Sequence, residues 1–512
     1  MKSLAFTISI LLGVLTFYSC KPDSFESMDE EILTSERQRH RTIVTTDGEV
    51  DDVDSFIRFL FYTNEFDVEG LVYSSSQWHY KGDGQGTKFT SEMPNTAERY
   101  GERTELRWPG TTWMQDLIGK YKEIHPNLQL HAEGFPEPEA LLELVKIGNI
   151  DFEGEMEKDT EGSDWIKSVL LDNDPRPVYI QIWGGTNTAA RALKSIEEEY
   201  KGRDNWEEIY KKVSDKAVLY TVLDQDATYE KYIEPNWPEV KVIYNSDQFW
   251  CFAYPWVTRV PEELRQYLSG DFFKEHILFE RGPLAGAYYT WGDGRQIDND
   301  EEHDQGEIEV MKKSKRQQYD FISEGDSPAF FYLLDVGLRS MENPAYGGWG
   351  GRFVQSQSNP NRWEDGKHVT DFNPYTKQDD ATYPQTRWVK ELQHDFAARA
   401  SWSVKSYEEA NHAPEVSLKH DKDLKVKVGD KVVLQGQASD PDGDELEYLW
   451  WHYMEAGSMQ GVVQIQDRES KEASFVVPEE ARVGDTIHMI FEVRDNGYPS
   501  LTRYQRVIVY VK

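Results

Sequence analysis

Arg41-Thr-Ile-Val-Thr-Thr-Asp-Gly-Glu-Val-Asp-Asp-Val-Asp-Ser-Phe-Ile-Arg-Phe-Leu-Phe61 encodes a strand, a tight turn and a helix in one short run. Ile43 and Val44 carry β character and Gly48 permits a sharp exit. Val53, Phe56, Ile57, Leu60 and Phe61 then recur at i, i+3, i+4, i+7 and i+8, on one face of a helix. Asp47, Asp51 and Asp52 are thereby gathered where a strand's carboxyl end meets a helix's first turn, the place at which open α/β sheets hold their ligands. The helix dipole alone favours acidic residues there, by about 0.3–1 kcal/mol each. Three carboxylates around one turn also repel one another unless a cation sits among them, so the segment predicts a calcium site.

Outward from this stretch, strand-like runs alternate with helix-like ones. Val68–Tyr73, Pro177–Ile182 and Ala217–Asp226 read as core strands, the last ending in Asp224 and Asp226, whose expected role is a strand-end acidic cap. This pattern predicts an α/β fold with a doubly wound, mostly parallel sheet over residues 41–408. Near Asn411-His-Ala-Pro414 it changes to short alternating strands at Val416, Lys431–Gly436, Leu446–Trp451, Ala473–Val477, Thr486–Val493 and Gln505–Val511. Residues 412–512 are therefore expected to form an all-β immunoglobulin-like sandwich, a structural appendage with sugar binding as the alternative. Trp450 and Trp451 point to opposite faces of their strand, one to the core and one to a surface or domain interface. Asp440-Pro-Asp-Gly-Asp444 suits a turn between strands, with calcium binding as the second reading.

The spacing Asp47-x-x-x-Asp51-Asp52 after a short strand resembles the opening of the nucleoside hydrolase family. Two later segments are similar to that family as well: Gly184-Gly-Thr-Asn187 after an apolar strand, and Asp326 before the apolar run Phe330–Leu334. The resemblance is closest to a nucleoside-hydrolase-like subgroup described as cellulose-binding, with an added carboxyl-terminal sandwich. It implies Ca²⁺ held by Asp47, Asp52, the Thr186 carbonyl and Asp326. It also implies Asp47 as general base and Asp51 on a sugar hydroxyl. Two positions depart from the family pattern: Thr45 stands where an aspartate is usual, and Gly325 where a histidine often serves the leaving group.

In the loop after the second strand, Trp78 offers a face for stacking a sugar and His79 an imidazole for protonating a leaving oxygen. Glu324 is a second candidate acid. Asn245, in the run Tyr244–Trp250, is a candidate substrate amide. The aromatic and glycine-rich loops Tyr254–Trp256, Tyr288–Asp293 and Tyr346–Arg352 read together as carbohydrate-facing, and the glycines between Gly82 and Gly86 as a mobile stretch.

The chain has 512 residues and a formal net charge of −36, which repels a nucleic acid backbone, while 16 Trp, 28 Tyr and 23 Phe supply substantial cores. Lys2, the apolar stretch Leu4–Tyr18 and Ser19-Cys20 read as a signal peptide (1–19) and a lipoprotein site, with a lipid on Cys20 and a polar tether over 20–40. That places the protein at a bacterial cell envelope, outside the cytoplasm. The other cysteine, Cys251, leaves no disulfide framework. The function expected is Ca²⁺-dependent hydrolysis of a glycan or glycoside, at a furanose-like sugar. A non-catalytic glycan-binding protein and a nucleoside N-ribohydrolase are the alternatives.

Overall fold

The computed structural model describes residues 39–296, 300 and 302–512. The expected signal peptide, Cys20 and nearly all of the tether lie outside the described residues. The first strand starts at His40, just ahead of the expected boundary, and Arg39 pairs with Asp67 at 3.1 Å.

Strands β1 (His40–Thr46), β2 (Phe66–Tyr73), β3 (Val145–Ile147), β4 (Val178–Ile182), β5 (Ala217–Val222), β6 (Lys241–Asn245), β7 (Val354–Gln355) and β8 (Arg362–Glu364) form one sheet. Their order is β3-β2-β1-β4-β5-β6-β8-β7, parallel throughout except for β7, which closes the edge antiparallel to β8. The chain winds outward from β1 to β3, returns to β4 and winds the other way. The switch point therefore lies between β1 and β4, and the carboxyl ends of those two strands open the crevice in which such sheets bind ligands.

Period-two alternation sends successive strand residues to opposite layers. Val44, Tyr179, Val218 and Tyr220 pack with Phe56, Ile57 and Leu60 of α1 (Val50–Leu60) and Ile118 of α2 (Trp113–His131). Ile43, Ile180 and Leu219 pack with Ile166 of α3 (Glu161–Leu171), Leu193 of α4 (Asn187–Tyr200) and Val213 of α5 (Trp206–Lys216). Each such side chain contributes about 1.5–3 kcal/mol on burial. Both faces being covered, the strands read as continuous apolar runs, as Pro177–Ile182 does.

The sandwich pairs β9 (Glu415–Leu418), β11 (Lys431–Ser439) and β13 (Glu472–Val476) in one sheet. The other holds β10 (Asp423–Val426), β15 (Thr502–Val511), β14 (Thr486–Asp495) and β12 (Leu446–His452). β10 is not among the strands expected from sequence, since Lys422, Asp423, Lys425 and Lys427 mask its alternation. It runs parallel to β15. Trp450 is fully buried, stacked 4.6 Å from Phe491. Trp451 takes the opposite face, 4.9 Å from the Arg387 guanidinium of the α/β domain.

The sandwich is docked through buried polar pairs. The amides of Tyr504 and Arg506 donate to the carbonyls of Val336 and Gly337 at 2.9 and 3.1 Å. The buried Arg506 side chain donates to Leu338 and Gly347 carbonyls at 2.7 and 3.0 Å. Tyr453, Arg352 and Arg387 converge on the fully buried Asp371 at 2.7, 2.8 and 2.9 Å. The loop Tyr346–Arg352, expected to face carbohydrate, is used in this contact, with Trp349 only 2% exposed. In the glycine stretch after His79, a Cβ on Gly82 would meet the Thr104 carbonyl at 2.0 Å, Asp83 accepts from the Gln85 amide at 2.8 Å, and Gly84 and Gly86 stand in open space.

Candidate active site

The turn out of β1 demands its glycine. Gly48 takes φ +81°, and a Cβ there would sit 2.6 Å from Pro109. Glu49 then precedes α1, placing Asp51 and Asp52 in its first turn. Asp326 arrives from the segment before the short helix Ser327–Phe331. Carboxylate oxygens of Asp51, Asp52 and Asp326 lie within 4.8 Å of one another. The hydrogen bonds they accept come from hydroxyls: Thr46 to Asp52, and Tyr254 (3.4 Å) and Ser323 (3.3 Å) to Asp51. Asp326 Oδ2 is buried without a hydrogen-bond partner among the described residues. Burial, and then the charge of Asp47 on Asp52 and of Asp52 on Asp326, push both acids well above the usual carboxylate range. Burial and the charge of Glu49 push Asp51 up to about 7. An all-oxygen, acidic, under-partnered donor set of this kind fits a hard cation such as Ca²⁺.

The sequence-predicted residues divide around this cluster. Asp47 lies behind it, 1% exposed. Its Oδ2 accepts from Ser76 and from His79 Nδ1 (3.3 Å), and its Oδ1 side packs against Gly184, where a Cβ would stand 2.9 Å away. Gly185 similarly yields to Asp226, since a Cβ on that glycine would lie 2.3 Å from Asp226 Oδ2. The paired glycines thus admit two carboxylates to the end of β4. The contacts of Thr186 lead elsewhere than the Asp51 cluster. Its carbonyl accepts from the Ala190 amide at 2.9 Å as the cap of α4, and its hydroxyl donates to Asp226 at 3.0 Å. Asp224 and Asp226 cap backbone amides, as expected, at Tyr229 and Glu230 and at Asn187 and Thr228.

Glu324 requires correction as a substrate residue or acid. It is fully buried beneath the site, accepting from Arg58 (3.1 Å), Tyr288 and Ser327 (2.7 Å). Asn245 is also a structural pin, donating to the Tyr220 hydroxyl at 2.9 Å and accepting from the Phe249 amide at 3.0 Å. Trp78 does reach the cavity, and His79 stands just beneath its wall.

The cavity above the carboxylates is about 440 Å³, and Trp78, Trp183, Phe249, Trp250, Tyr254 and Trp291 give it aromatic walls. Glu49, Arg107, Gln225 and His303, none of them singled out from the sequence, supply its polar wall. His303 Nε2 lies 3.1 Å from Glu49, its Nδ1 is paired with Asp300, and its ring stacks on Tyr254 with centroids 5.3 Å apart. Burial disfavours its charge, but Asp300 and Glu49 outweigh that and lift its pKa to about 9. Burial likewise opposes charge on His79, and Asp300 and Asp47 raise it. Arg107 ties Asp300 (3.4 Å) to Glu302 (3.3 Å). A Cβ on Gly325 would lie 2.6 Å from Asp51 Oδ2, so a side chain at this position would displace that carboxylate. Imidazoles reach this site from other loops instead.

Comparison with known proteins agrees with this architecture. Residues 41–353 match the family model described as cellulose-binding Sde182, nucleoside hydrolase-like domain, and residues 431–511 match that of the cellulose-binding protein Sde0182 C-terminal domain. Among solved structures, the chain is similar to a nucleoside hydrolase-related hypothetical protein from Saccharophagus degradans, described as associated with carbohydrate metabolism. Identity is 26%, covering 93% of this chain and 100% of that one, with a TM-score of 0.68. A plant nucleoside hydrolase aligns over 70% of this chain and 99% of its own at 11% identity and a TM-score of 0.31. No curated protein matches.

Proposed function

The chain belongs to the cellulose-binding, nucleoside hydrolase-like family, and on that footing we propose that it hydrolyses a glycosidic bond in a glycan or glycoside with Ca²⁺ as cofactor. The observation that carries the reading is the juxtaposition, in one aromatic-walled cavity, of three clustered carboxylates and a histidine paired with Glu49 and Asp300. Asp52 and Asp326, with Asp47 behind them and Asp51 beside them, would hold the ion, and Thr186 remains the family's fourth position. Bound there, calcium supplies charge that lowers the pKa of a water and binds sugar hydroxyls.

The protein's own residues do the rest. Asp47, oriented through Oδ2 by Ser76 and His79, takes the proton of the attacking water. Asp51, on the cavity wall, accepts a hydrogen bond from a sugar hydroxyl and fixes the ring. His303, whose Nε2–H is paired with Glu49 before substrate binds, would turn that proton to the departing oxygen, the role for which Gly325 offers no side chain. Trp78, Trp250 and Trp291 stack on the sugar and exclude water. Asp47→Asn is expected to lower turnover by a factor of about 10² or more while glycan binding by isothermal calorimetry stays within a few-fold. Turnover equal to wild type would remove Asp47 from the mechanism.

A second reading, capture of a glycan without cleavage, draws on the family description and on Gly325. It predicts binding with no bond cleavage in the same calorimetric samples.

A further inference from the structure

At the junction between the α/β domain and the sandwich lies a second set of oxygen donors. The turn Asp440-Pro-Asp-Gly-Asp444, between β11 and β12, brings carboxylate oxygens of Asp440, Asp442 and Asp444 within 4.8 Å of one another. As a turn it is complete: Asp440 Oδ1 accepts from the amides of Asp442 and Asp444 at 2.9 and 3.0 Å. An acidic turn of that kind is sufficiently explained by chain reversal. Two buried side chains beside it are not.

Asp495, at the end of β14 and only 2% exposed, accepts through Oδ1 from Asn411 Nδ2 (3.2 Å) and from the amides of Gly497 (3.1 Å) and Leu501 (2.9 Å). Its Oδ2 is buried with no hydrogen-bond partner among the described residues. Asn411, 6% exposed, spends Nδ2 on Asp495 and on the Pro499 carbonyl (2.7 Å), and its Oδ1 is likewise unpartnered. Asp440 Oδ2 is a third such atom. A buried acceptor left unmet destabilises the fold.

Contacts tie the three together. Asp495 pairs in register with Leu446, just past the turn, and the Asn496 amide donates to the Glu445 carbonyl at 3.1 Å. His412, next to Asn411, donates its amide (2.6 Å) and Nδ1 (2.8 Å) to Asp442. Burial, with Asp440's charge adding to it, pushes the Asp495 acid up to about 6.

We propose that Asn411, Asp440 and Asp495, with Asp442 and Asp444, form a second divalent-cation site, selective for calcium through its all-oxygen donor set. The ion gives the three unmet oxygens a partner and offsets the repulsion among four carboxylates. It also clamps the segment entering the sandwich, Asn411-His412, to the β11–β12 turn and the end of β14, so calcium binding becomes folding stability at the domain junction. The site is separate from the cavity and independent of what the cavity does.

The test counts bound calcium by equilibrium dialysis of the full chain. Asp326→Asn removes a cavity ligand and is expected to leave one tight ion. Adding Asp444→Asn, at a half-exposed position, is expected to weaken that ion at least tenfold and to abolish the remaining calcium-dependent rise in Tm. Asp495→Asn, which keeps an oxygen for the Gly497 and Leu501 amides, is expected to do the same. An Asp326→Asn chain that binds no calcium, or calcium retained undiminished in both double variants, would overturn the proposal.

Discussion

Asp51 and Asp326 show how much of the site's chemistry is set by what surrounds a single carboxyl. A carboxyl whose folded-state pKa exceeds its unfolded value, about 3.9 for Asp, stabilises the fold at low pH and loses that contribution as pH rises through the folded value. Asp51 sits at about 7 and Asp52 and Asp326 are also raised, so the metal-free cluster becomes destabilising as pH climbs through neutrality. A bound cation reverses this by favouring the ionised forms. The rise in Tm on adding calcium is therefore expected to be larger at pH 8 than at pH 5. Measured on an Asp444→Asn chain, so that the junction does not contribute, equal shifts at both pH values would contradict the assignment. Residues of this turn are legible in the sequence because they are local, adjacent in the chain and bounded by Gly48. His303 is not, since it lies in an acidic run with no periodicity and meets Glu49 only after the chain has gone round most of the sheet.

At the scale of elements, α1 joins the site to the core beneath it. Its polar first turn carries Asp51 and Asp52, while nearly two turns further on Arg58 is fully buried, 4.6 Å from the ring centroids of both Phe331 and Phe396 and paired with Glu324. Glu324 is thus an anchor that holds the Asp326 segment against α1. From sequence it reads as a chemical residue, because an acid beside a predicted metal ligand looks the same in either role. Arg58→Met leaves the buried Glu324 carboxylate without its cation and is expected to cost about 3–5 kcal/mol, with Arg58→Met/Glu324→Leu recovering much of it. Urea unfolding of both variants tests this, and a double variant less stable than the single would contradict it. Strands are legible where burial on both faces makes apolar runs, as in β4 and β5. β10 escapes notice because its short alternation is set among lysines and aspartates at an exposed edge.

The whole molecule couples these parts through a domain interface that the sequence does not reveal. Asp371 lies in a stretch with no recognisable pattern, yet it accepts from Tyr453 of the sandwich and from Arg352 and Arg387 of the α/β domain at once. Asp371→Ala strands two guanidinium groups and a phenol, which predicts a loss of about 3–5 kcal/mol. Because β15 also hydrogen-bonds the segment Val336–Leu338, calorimetry is expected to show one transition at lower temperature. Two separated transitions would show that the domains unfold independently. The fold class and the sandwich follow from periodicity, which reports burial, whereas docking depends on side chains far apart in sequence, which periodicity does not register.

Whether the acidic cavity cleaves glycosidic bonds with calcium is decided by assaying the purified protein for reducing-sugar release on furanosides, pyranosides, plant and algal polysaccharides and nucleosides, before and after chelation. Release is expected from at least one carbohydrate, lost with chelator, restored by calcium and absent in Asp47→Asn. Binding to carbohydrates with no release from any of them in the presence of calcium would contradict a hydrolytic role.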